Sequence, residues 1–123
     1  MLSKATMIMD GRYLFDKVKG TFGGMPFEGM GTTGYDNGRK KFVATWIDSM
    51  GTGIMIGEGD YDADKKSWSY TAKSTEPMSG QSILTRSVER IVDDNTWVME
   101  MYGPGPDGKE FQMMEITYHR NAK

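Results

Sequence analysis

The sequence predicts an all-β domain, an up-and-down meander of about nine antiparallel strands that closes into a barrel. Three observations predict this class. Apolar and polar residues alternate with the two-residue period of strands along most of the 123 residues. Residues that favour tight turns recur at regular spacing between the alternating runs. The 3.6-residue period of an amphipathic helix is hard to find over any long window, and leucine, which is common in helical bundles, occurs only three times.

The predicted strands follow one another along a single domain, residues 1–123. In chain order they span residues 3–9, 12–20, 27–35, 40–48, 53–61, 66–75, 82–92, 96–102 and 109–120. The connections are short enough for hairpins. Closing the sheet into a barrel would remove the two edges that a meander otherwise exposes.

Turn residues delimit the first strands, and alternation supports the later ones. Strand 3–9 ends at Asp10-Gly11, strand 12–20 at Gly23-Gly24, and strand 27–35 at Asp36-Asn37-Gly38. The runs KFVATW, IMIGEGDY and SWSYTA predict the strands 40–48, 53–61 and 66–75. Apolar residues of one parity predict the last three strands: Leu84 with Val88, Trp97 with Met99 and Met101, and Phe111 with Met113. A turn at Pro77–Gly80 separates the strands 66–75 and 82–92.

Composition excludes several classes of function. The formal net charge is −2, so no basic surface indicates a nucleic acid or an anionic membrane as a partner. The chain contains no cysteine, which excludes disulfides, zinc–thiolate sites and thiol nucleophiles. Because we find neither a signal-peptide pattern nor an apolar run of about 18 residues, we expect a cytoplasmic protein. A mature secreted form would look the same.

The glycine-rich segment GTGIMIG (51–57) has the composition of a phosphate-binding loop, but we favour a hairpin. Phosphate loops present a helix N-terminus to the anion. Here the residues that follow alternate as a strand, and the Lys-Ser/Thr pair of a P-loop is missing. We interpret Gly57 and Gly59, and the segment 27–34, as strand corners, which are more often structural than ligand-contacting.

Five segments of the chain are distinctive, namely GRYL, PFEGMGTTGYDN, KKFVATWIDSMGTGIMIGEGDYD, PMSGQ and EMYGPGPDGKEFQMMEITYHR. They resemble the DUF1579 family, whose function is unknown. The family is similar to the calycin group, which includes lipocalins, fatty-acid-binding proteins and nitrobindin-like haem proteins. That resemblance implies an antiparallel β-barrel with an interior large enough for a ligand. Family members generally carry an earlier strand with a Gly-x-Trp signature, which this chain lacks, so we expect a second subunit to cover the open edge in a homodimer.

The candidate ligand pocket is built from polar residues that lie two positions from apolar residues in a predicted strand, and so on the same face as them. Aromatic residues and methionines around them complete it. Asp48 continues one apolar run, Glu58 a second, and Glu115 a third, and Arg86 lies between Leu84 and Val88. Buried charge must pair, titrate or meet a polar ligand. The candidate pocket therefore comprises Trp46, Asp48, Glu58, Arg86, Trp97, Met99 and Glu115.

Two alternatives remain open for these residues. The charged groups form an internal ion-pair network that fixes strand register, or a bulge places some of them on the other face. The methionines scattered along the strands and turns line a cavity for a flexible ligand, or they simply fill a core in place of leucine. We predict no catalytic residue, no metal and no cofactor, and we expect His119, the single histidine, to be exposed near the end of the last strand.

Three functions follow as hypotheses. The first is a non-enzymatic barrel that binds a small, partly apolar ligand. The second is a self-associating interaction module with a packed interior. The third is a small barrel hydrolase or isomerase, for which no Gly-x-Ser-x-Gly elbow is present.

Overall fold

A computed structural model describes residues 1–75 and 78–121, and the chain forms nine antiparallel strands. The strands are β1 (Leu2–Ile8), β2 (Tyr13–Phe22), β3 (Met25–Asp36), β4 (Lys41–Asp48), β5 (Met55–Asp62), β6 (Ser67–Thr75), β7 (Ser82–Asp93), β8 (Thr96–Pro104) and β9 (Glu110–His119). Each is hydrogen-bonded to the next in chain order. The predicted all-β class and meander are confirmed. The described residues include no helix long and apolar enough to cross a membrane.

The chain divides into two compact units, a first unit Met1–Glu58 and a second unit Gly59–Lys123. The first contains β1 to β4 and the start of β5, and the second contains the rest of β5 and β6 to β9. Closure into a barrel and the single-domain assignment stay predictions. Pro77, which begins the predicted turn 77–80, lies outside the described residues.

The predicted turns are built largely from aspartate caps and left-handed residues. The Asp36 carboxylate accepts hydrogen bonds from the backbone N–H groups of Gly38 at 3.0 Å and Arg39 at 3.1 Å. In the turn between β2 and β3, Gly23 and Gly24 have φ values of 58° and 80°, a region that favours glycine. These local bonds explain why the turn positions could be read from the sequence.

The glycine-rich segment leads into a strand, as the hairpin interpretation requires. Residues 51–54 lie outside the strands, and β5 begins at Met55, two residues later than predicted. No helix follows, so the segment lacks the helix N-terminus of a phosphate loop. Within β5, a Cβ atom on Gly59 would overlap the carbonyl oxygen of Ser69 on β6 and lie 2.9 Å from the Cα of Tyr70. Glycine is therefore needed at position 59 because the neighbouring backbone is so close.

In the first unit, β3 makes room for a tryptophan on β4. Gly29 on β3 lies opposite Val18 on β2 and opposite Asp48 on β4, and Gly31 on β3 lies opposite Trp46 on β4. A Cβ atom on Gly29 would lie 2.7 Å from Cη2 of the Trp46 indole. The glycines of the predicted corner thus have a structural role.

The second unit has two chemically different faces. Directly opposed residues on antiparallel strands share a face, and neighbours along a strand alternate between faces. The face that we call the aromatic face bears Tyr61, Trp68, Tyr70, Ser87, Glu89, Ile91, Trp97, Met99, Met101, Met114, Ile116 and Tyr118. The opposite face, which we call the charged face, bears Arg86, Val88, Arg90, Val98, Glu100, Tyr102, Glu110 and Glu115.

Candidate functional site

Trp46 and Asp48 come together in the first unit, but they bond to each other. The indole Nε1 of Trp46 donates a hydrogen bond to Asp48 Oδ2 at 2.7 Å. The other carboxylate oxygen, Oδ1, accepts from the backbone N–H of Met50 at 2.8 Å and so caps the turn after β4. Both Asp48 oxygens therefore have partners within their own strand and turn, without a ligand.

Glu58 lies in an ion-pair cluster and not in an apolar cavity. Its carboxylate accepts a hydrogen bond from the Arg39 guanidinium, and Lys41 Nζ lies 3.6 Å away. The hydrogen bond from Arg39 is the largest cause that lowers the pKa of Glu58 below its ordinary value of 4.5. The side chain keeps 36% of its surface exposed, so solvent screens the interaction.

Arg86 is the centre of a network on the charged face. Its guanidinium donates to both carboxylate oxygens of Glu110, at 2.9 and 3.3 Å, and lies 4.3 Å from the centre of the Tyr102 ring. The Tyr102 hydroxyl donates to Glu100 at 2.9 Å, and Arg90 Nε donates to the same carboxylate at 3.4 Å. The hydrogen bond from Arg86 lowers the pKa of Glu110. The network crosses β7, β8 and β9 and leaves 41% of the Arg86 side chain and 50% of the Glu110 side chain exposed. A role in fixing strand register stays a prediction.

Sequence reasoning missed the actual partners of Arg86. Glu110, which is bonded to Arg86, and Tyr102, whose ring lies against the guanidinium, are on other strands. A shift in register between Met101 and Tyr102 also changes which β9 residues face β8. The one available signal was the alternation of charge in β8, where Glu100 lies between Val98 and Tyr102 on one parity.

Glu115 shares the charged face with Arg86, but it is exposed and joins a different contact. It lies directly opposite Glu100, and its carboxylate accepts a hydrogen bond from the Gln112 side chain at 3.4 Å. His119 is exposed at the end of β9, as predicted.

Trp97 and Met99 lie on the aromatic face. The Trp97 ring contacts Tyr118, with ring centres 5.7 Å apart, and Tyr61 contacts Trp68 with centres 4.4 Å apart. Trp97 and Met99 are half-buried. This face therefore combines large aromatic surfaces with flexible methionine side chains.

The seven candidate residues divide between the two units and, within the second unit, between its two faces. Trp46, Asp48 and Glu58 belong to the first unit and the other four to the second. Within the second unit, Arg86 and Glu115 lie on the face opposite to Trp97 and Met99. The expectation that all of these parities face the same side needs correction, because pairing between strands, and not alternation within a strand, decides the face. A ligand-binding role for each residue stays a prediction.

An open surface hollow of about 470 Å³ lies in the first unit, and none of the predicted pocket residues lines it. It is lined by Lys19, Gly20, Pro26, Phe27, Glu28 and Ser49. Lys19 Nζ lies 3.6 Å from a Glu28 carboxylate oxygen beside it. In the part of the chain that the structure describes, no group of three or more His, Asp or Glu side chains is placed to hold a metal ion.

Comparison with known proteins places the chain in a family. Neither the curated proteins nor the solved structures contain a match. The model of one family, described as a protein of unknown function (DUF1579), matches residues 1–120. That match covers nearly the whole of the chain, which therefore belongs to the DUF1579 family.

Proposed function

We propose that the protein is a non-enzymatic binding protein for a small, partly apolar molecule, and that the aromatic face of the second unit contacts this ligand. The observation that carries the proposal is the composition of that face. Four aromatic side chains in two contacting pairs, Tyr61–Trp68 and Trp97–Tyr118, lie on it with Met99. Ligand sites are mostly apolar and aromatic, with a few polar groups that fix orientation.

The aromatic face retains apolar surface that a ligand can cover. Tyr61 is 41%, Ile91 42% and Met114 41% exposed. Removing apolar surface from water contributes roughly 25 cal/mol per Å². The methionine side chains of the face adapt to ligands of different shape at low cost.

The lowered pKa values of two carboxyl groups favour a binding function over acid–base catalysis. A carboxyl group that acts as a general acid near neutral pH needs a raised pKa. The pKa values of Glu58 and Glu110 are both lowered, first of all by hydrogen bonds from arginine partners. Both groups act as ion-pair acceptors, which supports the choice of a binding protein over a hydrolase.

Native mass spectrometry of freshly purified protein tests the proposal. We expect a co-purified small molecule, retained by Arg86→Leu on the charged face and lost from Trp97→Leu on the aromatic face. Cooperative unfolding followed by circular dichroism must first show that both variants are folded. If Trp97→Leu retained the small molecule and Arg86→Leu lost it, the ligand would bind to the charged face and the proposal would be contradicted.

Self-association is a second candidate, and we propose that two copies form a homodimer through the first unit. Met7, Phe22 and Met25 share the face that bears Trp46, and they are 55%, 54% and 62% exposed. Exposed apolar side chains of this size on one face mark interaction surfaces. Light scattering should give about twice the chain mass of 13.8 kDa, and Phe22→Ser should lower it. A mass of 13.8 kDa at micromolar concentration would contradict the dimer.

A further inference from the structure

Two hydrogen-bond donors on the aromatic face have no partner among the residues that the structure describes. The hydroxyl of Tyr70 and the indole Nε1 of Trp97 are buried, and neither makes a hydrogen bond within the described residues. Tyr70 is only 5% exposed. Because roughly 90% or more of buried polar groups in proteins are hydrogen-bonded, two such donors on one face need an explanation.

The chemistry of these two donors indicates which kind of hydrogen-bond acceptor would satisfy them. An indole N–H can only donate, and a tyrosine hydroxyl donates well as long as it stays protonated. Burial and, after it, the negative charge of Glu89 raise the pKa of Tyr70, so the hydroxyl remains protonated at every physiological pH. Glu89 lies on the same face, and its charge disfavours an anionic ligand there. The missing partner is therefore an uncharged acceptor.

We infer that the ligand carries a neutral acceptor oxygen, such as the carbonyl of an aryl ketone, ester or amide, and that the Tyr70 hydroxyl donates a hydrogen bond to it. Trp97 supplies a second donor for ligands with two acceptors. This assignment rests on the proposed binding function of the aromatic face. A neutral ligand excludes fatty acids and other carboxylates, because the negative charge of Glu89 would repel them.

Access to Tyr70 requires a small movement of neighbouring side chains, since its hydroxyl is covered. Tyr70 lies opposite Ser87, and Ser87 lies opposite Met101. Met99 and Met101 line the same face two strands from Tyr70, and methionine changes rotamer readily.

Isothermal titration with two matched probes tests the assignment. Acetophenone carries a carbonyl oxygen, and α-methylstyrene carries a CH₂ group in its place. We expect the wild-type protein to bind acetophenone at least about 3-fold more tightly, the gain that one hydrogen bond gives. We expect Tyr70→Phe to bind both probes equally. Tyr102→Phe, which removes a hydroxyl from the charged face, should keep the wild-type preference.

The outcomes distinguish this inference from the proposed function. If both probes bind equally to the wild-type protein, or if Tyr70→Phe keeps the preference for acetophenone, the acceptor assignment is wrong while the apolar site stands. Should neither probe bind, and no small molecule co-purify, the proposed function falls and the inference falls with it. Tighter binding of benzoate than of acetophenone would also overturn the choice of a neutral ligand.

Discussion

Replacing Tyr70 by phenylalanine should stabilise the ligand-free protein, which is the opposite of the usual result for a buried tyrosine. The change removes one oxygen atom and leaves the ring, which is packed in the interior with 5% of its surface exposed. No hydrogen bond is lost, because the hydroxyl makes none within the described residues. The desolvation cost of an unsatisfied polar group disappears with it.

The expected gain follows from that cost. An unsatisfied buried hydroxyl costs about 1–3 kcal/mol, so Tyr70→Phe should raise the free energy of unfolding by about 1 kcal/mol or more. For a chain of this length, that gain corresponds to a rise in Tm of about 3 to 5 °C. Tyr102 provides the matched control on the opposite face. Its hydroxyl donates to Glu100 at 2.9 Å, so Tyr102→Phe should lower the stability.

Urea unfolding followed by tryptophan fluorescence measures both variants. We expect the midpoint of Tyr70→Phe to move up and that of Tyr102→Phe to move down, with unchanged m-values. A loss of stability in Tyr70→Phe as large as that in Tyr102→Phe would show that the Tyr70 hydroxyl has a partner in solution. The Tyr70 hydroxyl would then have no need of a ligand acceptor, and the choice of a carbonyl-bearing ligand would be wrong.

Three further changes test other parts of the molecule. Gly59→Ala should cost about 1–3 kcal/mol because its Cβ meets the neighbouring backbone, whereas Gly51→Ala, with nothing within 4 Å, should be nearly neutral in the same thermal melts. Glu58→Gln should lower stability above pH 4.5 and make no difference well below it. The folded-state pKa of Glu58 is lowered, so its ion pair stabilises the fold above that pKa and is lost as the pH falls through it. A stability difference that persists at pH 2 would contradict this. Arg86→Leu should lower Tm less than Gly59→Ala, since its ion pair is partly exposed; a larger loss would show that the network contributes more than its exposure suggests.

The strand positions could be predicted closely because turns and alternation are local. Predicted strands 40–48 and 66–75 correspond to Lys41–Asp48 and Ser67–Thr75. The start of β5 was placed too early because Ile54 continues the apolar alternation of Ile56, although the strand begins only at Met55. Hydrogen bonding to a neighbouring strand decides a strand's end, and that information is not local.

The candidate site could be predicted only within single strands. Alternation correctly places Trp97 and Met99 on one face of β8, and Trp46 and Asp48 on one face of β4, because residues two apart in a strand share a face. It cannot relate Arg86 on β7 to Trp97 on β8, since a slip of one residue in their pairing exchanges the faces. Tyr70 was placed in an alternating run, yet its unsatisfied hydroxyl could not be foreseen, because the absence of a partner depends on the packing of several strands.

The charged face and the aromatic face of the second unit depend on each other through register. The bonds of Arg86 to Glu110 and of Arg90 to Glu100 join β7 to β9 and to β8 in one alignment. A slip of one residue between these strands would separate the ion pairs and turn the apolar side chains of the slipped strand to the other face. Each surface ion pair contributes little to total stability, but a misaligned sheet would lose both pairs together. The ion pairs of the two arginines therefore favour the register that keeps Trp97 and Met99 on one side of the sheet.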